Sequence, residues 1–143
     1  MTNKEIQLAA TSVVKHLLAA DGYEVSEGDR GYDLKATGPG DELHVEVKGA
    51  GAAITSLGGF RYLTTGEFNA ARRDPKWQLW VVEHVGKPSE VMVTKIPRHE
   101  VLAHVDIEVS WVLKTGRWCA DLAQSCDAEI ATRALSTIGL DAS

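Results

Sequence analysis

The sequence contains only two cysteines, Cys119 and Cys126, in 143 residues. They stand seven apart with no metal-ligand partner pattern, which excludes a disulfide framework and points to a reducing compartment. Long apolar runs are also missing. None approaches the ~20 residues of a membrane span, and no signal-peptide pattern precedes the first predicted helix. A cytoplasmic protein with no membrane partner is therefore expected. Positive charge is scarce: 15 Lys and Arg stand against 20 Asp and Glu, a net charge of −5. That balance argues against strong non-specific binding to nucleic acid, which needs Lys and Arg to neutralise phosphate. It leaves room for a local basic surface, and Arg61, Arg72, Arg73 and Lys76 form the densest such cluster.

Several familiar motifs are absent too. Gly49-Ala50-Gly51 has the Gly-x-Gly spacing, but no helix start or Gly-Lys-Ser/Thr follows it. A phosphate-binding P-loop and a dinucleotide fingerprint are excluded by pattern. There is no Gly-x-Ser-x-Gly elbow and no thiol with an obvious base, which argues against side-chain nucleophilic catalysis. His99, Glu100 and His104 superficially suggest a zinc-protease helix. Their histidines are five apart, about 140° around a helix, so they cannot share one metal.

The composition present, 44% hydrophobic and 24% charged, suits one globular domain spanning residues 1–143. A first helix is predicted over residues 3–20, with Thr2 and Glu5 as a capping box and Ile6, Ala9, Ala10, Val13, Val14, Leu17 and Leu18 as its apolar face. Tyr23–Ser26 suits a short strand. A second capping box, Thr64 with Glu67, opens a helix that ends at Asp74-Pro75. Helix initiation is a sufficient account of Glu67. Trp77–Val85 is apolar on both faces and predicts a central buried strand, and Val91–Ile96 another. Pro97–Val105 suits a short helix or turn. Alternation at Ile107, Val109, Trp111 and Leu113, then at Trp118, Ala120 and Leu122, predicts a C-terminal hairpin, and residues 127–138 a closing helix. All four tryptophans fall on predicted strands.

The chain is organised around residues 31–49. Two segments of period two flank Gly38-Pro39-Gly40-Asp41, a β-hairpin pattern. A turn at Pro39–Gly40 sets Tyr32 opposite Val47, Leu34 opposite Val45 and Ala36 opposite Leu43, one apolar face. The other face pairs Asp33 with Glu46, Lys35 with His44 and Thr37 with Glu42. A slip by one residue would mix the faces, so the register is well specified. It opposes two like charges, Asp33 and Glu46, which is destabilising unless a hard cation bridges them. Lys48 follows on the same face, two residues beyond Glu46. The plainer alternative is a solvated hairpin face whose charges point to water.

Asp33, followed on the next strand by Glu46-Val47-Lys48, resembles the signature of the PD-(D/E)XK nuclease superfamily. More narrowly, Gly-Tyr-Asp-Leu, Val-Glu-Val-Lys-Gly and Leu63-Thr64-Thr65-Gly66-Glu67-Phe68-Asn69-Ala70-Ala71 resemble the NO VEIN C-terminal domain family, over about residues 3–95. Tyr32 stands where the superfamily's name has proline. The resemblance implies an α/β (α+β) fold: a restriction-endonuclease-like αβββαβ core with a mixed central sheet flanked by helices. Residues 96–143 then form an extension carrying a hairpin and a helix. It implies Mg²⁺, with Mn²⁺ as a substitute, held by Asp33, Glu46 and the Val47 carbonyl. A first-helix glutamate often joins such sites, and Glu5 is the candidate here, although its capping role suffices for it. Lys48 would orient water or stabilise charge on the phosphate. Arg72, Arg73 and His44 are candidates for contacting substrate; solvation of a helix end accounts equally for the arginines, and a cross-strand pairing with Lys35 for His44.

The expected activity is that of a metal-dependent endonuclease acting on nucleic acid, DNA before RNA, as a homodimer or within a larger assembly. The alternative is a non-catalytic nucleic-acid- or protein-binding module that keeps the nuclease fold in a restriction, defence or repair assembly.

Overall fold

The computed structural model describes residues 1–54, 60–107 and 111–140. Helix α1 (Asn3–Ala20) starts at the expected capping box. Thr2 Oγ1 accepts from Glu5 N at 3.1 Å, and Glu5 Oε1 accepts from Thr2 N at 2.9 Å. Strands β1 (Glu24–Glu27), β2 (Leu34–Thr37) and β3 (Glu42–Gly49) follow as an antiparallel meander. The predicted register holds through the β2–β3 ladder, from Leu34 opposite Val45 to Thr37 opposite Glu42. After a short strand β4 (Phe60–Leu63) comes α2 (Thr65–Arg73), capped by Thr64 and Glu67 as expected.

Strand β5 (Trp77–Glu83) runs parallel to β3, and β6 (Met92–Pro97) is antiparallel to β5. The remainder is α3 (Arg98–His104), β7 (Val105–Ile107), β8 (Trp111–Leu113), α4 (Arg117–Ala120), β9 (Ala123–Ser125) and α5 (Ala128–Thr137). The main sheet has six strands in the order β1-β2-β3-β5-β6-β9; β4-β8-β7 form a second, smaller sheet. A mixed six-stranded sheet flanked by helices is the expected α+β class.

Two apolar clusters sit on opposite faces of the main sheet. Ala9, Ala10, Val13 and Val14 of α1 and Ala131, Ala134 and Leu135 of α5 pack on Leu34, Val45, Val47, Trp80 and Val82. On the other face, Ala71 of α2, Val101 of α3 and Leu113 of β8 meet Trp77, Leu79, Val81 and Ile96. Successive residues of β5 serve alternate clusters, which explains why its sequence is apolar throughout. The same alternation sends Val45 and Val47 toward α1 and leaves His44, Glu46 and Lys48 on the face that carries α2.

Three expectations need correction. Tyr32 does not join the apolar face opposite Val47. The ladder begins at Leu34, and a left-handed turn at Gly31 (φ 85°) interrupts the alternation. Tyr32 instead packs with the α2-side cluster and stacks on His44, ring centroids 4.4 Å apart. The C-terminal hairpin is made by β7 and β8, while residues 117–120 are helical. Trp118, Cys119 and Leu122 all join the α2-side cluster; their spacing fits one helical face as well as a strand, and short apolar segments do not distinguish the two. Trp118 is therefore the one tryptophan outside a strand. Positions 55–59 lie outside the described residues, as does Val109 of the expected strand.

Two glycines let helices approach the hairpin. A Cβ on Gly49 would lie 2.5 Å from Ala10 Cβ and 3.0 Å from Ile6 O, so α1 rests directly on the end of β3. A Cβ on Gly31 would lie 2.4 Å from Ala70 Cβ and 2.9 Å from Gly66 O, both of α2. Overpacking of this kind costs about 1–3 kcal/mol. Gly49→Ala should lower Tm by ~4–10 °C, measured by circular dichroism.

Candidate active site

β3 brings Glu46 and Lys48, two of the expected site residues, together on its α2-facing side. Lys48 Nζ lies 3.2 Å from Glu46 Oε2 and 2.9 Å from Glu67 Oε1, with side-chain exposures of 16%, 5% and 14% in that order. Glu67 Oε1 also accepts from Thr64 N at 3.0 Å, so one oxygen serves the helix cap and the ammonium. Glu67 was not marked as a site residue by the sequence pattern, because the capping box already accounts for it locally. Asp33 immediately precedes β2. Its backbone N donates to Val45 O at 2.9 Å and its Oδ2 accepts from Val47 N at 2.8 Å, extending β3's pairing past the end of the ladder.

Charge at this cluster is unbalanced: Glu46 and Glu67 share the Lys48 ammonium, and the charge of Asp33 also acts on Glu46. Burial pushes the Glu46 carboxyl up to about 9; Lys48 pulls it back, while the charges of Asp33 and Glu67 add to the rise. Burial disfavours the Lys48 ammonium, but Glu46 and Glu67 outweigh it, and its pKa stands above the ordinary value. Both directions fit one state near neutral pH, with Lys48 charged and Glu46 holding a proton. A cation that displaced this proton would relieve the surplus of negative charge.

A hard cation of the Mg²⁺ type uses one or two carboxylates and takes its other oxygens from water and phosphate, and Asp33, Glu46 and the Val47 carbonyl are the oxygen donors expected from the sequence. Among the described residues no group of three or more His, Cys, Asp or Glu side chains could hold a metal by itself. The Val47 carbonyl already accepts from Gln7 Nε2 at 2.9 Å. Gln7, rather than Glu5, hydrogen-bonds β3 from α1; the Glu5 carboxylate is engaged with Thr2 at the helix's own start. A cleft of about 520 Å³ opens between the first turns of α1 and residues 48–54, with Asn3, Gln7 and Lys48 in its lining.

The expected substrate contacts, His44, Arg72 and Arg73, gather at the C-terminal end of α2, whereas Glu67 lies in its first turn. His44 is 14% exposed, its Nδ1 2.5 Å from Asp74 Oδ2 and its Nε2 2.8 Å from Glu42 Oε2, so both ring nitrogens have carboxylate partners. Lys35 pairs with Glu42 at 3.6 Å rather than with His44. Arg72 and Arg73 are exposed in the last turn of α2, with Arg72 over the Phe68 ring. Arg98 caps that helix end, its Nη2 donating to Arg72 O at 2.7 Å. Cys119 and Cys126 are free and buried; burial raises both thiols, Cys119 to about 11. Neither supplies a thiolate near neutral pH.

The model of the family described as "Protein NO VEIN, C-terminal" matches residues 1–94. The chain belongs to the NO VEIN C-terminal family. No curated protein and no solved structure matches it. The matched part of this NO VEIN C-terminal chain runs from α1 into β6 and contains Asp33, Glu46, Val47, Lys48 and Glu67. Beyond it lie β9, which extends the main sheet next to β6, and α5, which packs beside α1. No described helix of the chain is long and apolar enough to cross a membrane.

Proposed function

We propose that this NO VEIN C-terminal chain is a Mg²⁺-dependent nuclease of the PD-(D/E)XK superfamily, hydrolysing phosphodiester bonds of nucleic acid, DNA before RNA. The observation that carries the reading is the buried Glu46–Lys48 pair on β3, with the charge of Asp33 acting on Glu46 and with Lys48 lining an open cleft. The succession α1-β1-β2-β3-α2-β5 supports a restriction-endonuclease-like core, with β4 added before α2.

In this reading Asp33, Glu46 and the Val47 carbonyl hold the metal. When bound, Mg²⁺ supplies Lewis acidity toward a phosphate oxygen and favours ionisation of an attacking water. Lys48 has three N–H donors, of which two face Glu46 and Glu67. The third is available to a phosphate oxygen in the cleft, where negative charge grows as water adds to phosphorus and the P–O bond to the leaving sugar breaks. Glu46, once deprotonated, would serve as one of the metal's carboxylate ligands. No enzyme-bound covalent intermediate is required.

Supercoiled plasmid is the test. Nicked circles should accumulate with Mg²⁺ or Mn²⁺ and stop in EDTA. A wild-type chain that cuts neither duplex DNA, single-stranded DNA nor RNA with either ion would overturn the reading. Scission of both strands at one place would require two copies of the site or two successive nicks. The net charge of −5 favours a second reading, a non-catalytic binding module in a defence or repair assembly; retained binding without cutting is its outcome in the same assay.

A further inference from the structure

A glutamate that only capped α2 would have no reason to be packed against a strand ammonium. Glu67 Oε1 nevertheless accepts from both Thr64 N and Lys48 Nζ, and its side chain is largely covered. The approach is built into the backbone. Gly31, two residues before Asp33, has no side chain where Gly66 and Ala70 of α2 press against it, and its carbonyl accepts from Trp77 Nε1 at 2.8 Å. The start of α2 is thereby seated against the start of the hairpin, which brings Glu67 to Lys48.

Lys48 needs this second partner. Its stem has four carbons and no preferred bidentate geometry, so its head is placed by what it bonds. Glu46, the other partner, is the proposed ligand for the cation, and a carboxylate drawn to a cation is a weaker anchor for an ammonium. We infer that Glu67 is a positioning residue, holding the Lys48 ammonium at the cleft wall once Glu46 has turned to the metal. This rests on the nuclease reading above.

Steady-state nicking kinetics of Glu67→Ala, Glu67→Gln and Thr64→Ala test it, with Tm recorded for each. Misplacing one reacting group costs up to about 10²-fold. Glu67→Ala should lower kcat by about 10- to 100-fold with KM within ~2-fold of wild type. Glutamine keeps an acceptor oxygen and the capping box, so Glu67→Gln should recover to within about 5-fold of wild-type kcat. It also carries the test if the alanine variant does not fold. Thr64→Ala weakens the same cap while leaving the Thr64 N–H and the Glu67 carboxylate in place, so it should lose Tm and keep kcat. Wild-type kcat in both Glu67 variants, or an equal kcat loss in Thr64→Ala, would overturn the positioning role and leave the nuclease reading standing. Absence of cutting by wild type would overturn the nuclease reading itself.

Discussion

Lys48→Met should abolish Mg²⁺-dependent nicking while leaving a folded chain. Methionine keeps an unbranched stem and removes only the ammonium. Losing one group that stabilises charge on a reacting phosphate costs roughly 10²–10³ in kcat. Stability should fall less than for most broken buried ion pairs, which lose about 3–5 kcal/mol because a charge is stranded. Here Glu46 already favours the protonated form, and Glu67 keeps its bond from Thr64 N. A loss on the order of 1–2 kcal/mol is expected, or ~4–8 °C in Tm. Plasmid nicking and circular dichroism on the same preparation separate the two effects. A Lys48→Met chain that cuts at the wild-type rate would remove Lys48 from the reaction and, with it, the reason for reading β3 as a catalytic strand.

The parts of this site legible beforehand are those governed by local periodicity. Alternation on both sides of Gly38–Asp41 fixes the hairpin register, and with it the placing of His44, Glu46 and Lys48 on one face. Both capping boxes are four-residue patterns with a local cause, and both occur as expected. Contacts between distant elements were not legible. Glu67 meets Lys48 across 19 residues, and its capping pattern gives no hint of a second partner. Gln7 meets Val47 O across 40 residues, on a helix where Glu5 looked the more suitable ligand. Asp74, read as part of a helix stop, also binds His44. Tyr32 departs from its expected face because it lies two residues before the ladder begins at Leu34, where period two does not hold. The close helix approaches were marked only by Gly31 and Gly49, whose role depends on neighbours far along the chain.

Stability without metal should fall as pH rises, and Glu46 should be the cause. Its ordinary pKa is 4.5 and its folded value is about 9. Between these values the native chain keeps a proton that the unfolded chain has released, so the slope of unfolding free energy with pH is negative. The contribution is complete below about pH 4.5 and is lost as pH rises through about 9. Glu46→Gln removes it, because the amide is neutral at every pH. The difference in stability between the two chains, taken in EDTA, cancels other titrating groups to first order. Near pH 5.5 they should be similar. At pH 9 the glutamine chain should be more stable by roughly 2–4 kcal/mol, discounted from the full 1.4 kcal/mol per unit because Lys48 offsets part of the charge. Mg²⁺ should narrow that gap at high pH by stabilising wild type, since a cation that binds the folded site adds to stability and its binding to a carboxylate competes with the proton. Urea unfolding across this range, with and without Mg²⁺, checks both statements. A difference that stays flat with pH would mean that Glu46 is ionised in the folded chain. The proposed site would then hold no proton at Glu46 for a cation to displace, and metal binding would leave the pH dependence of stability unchanged.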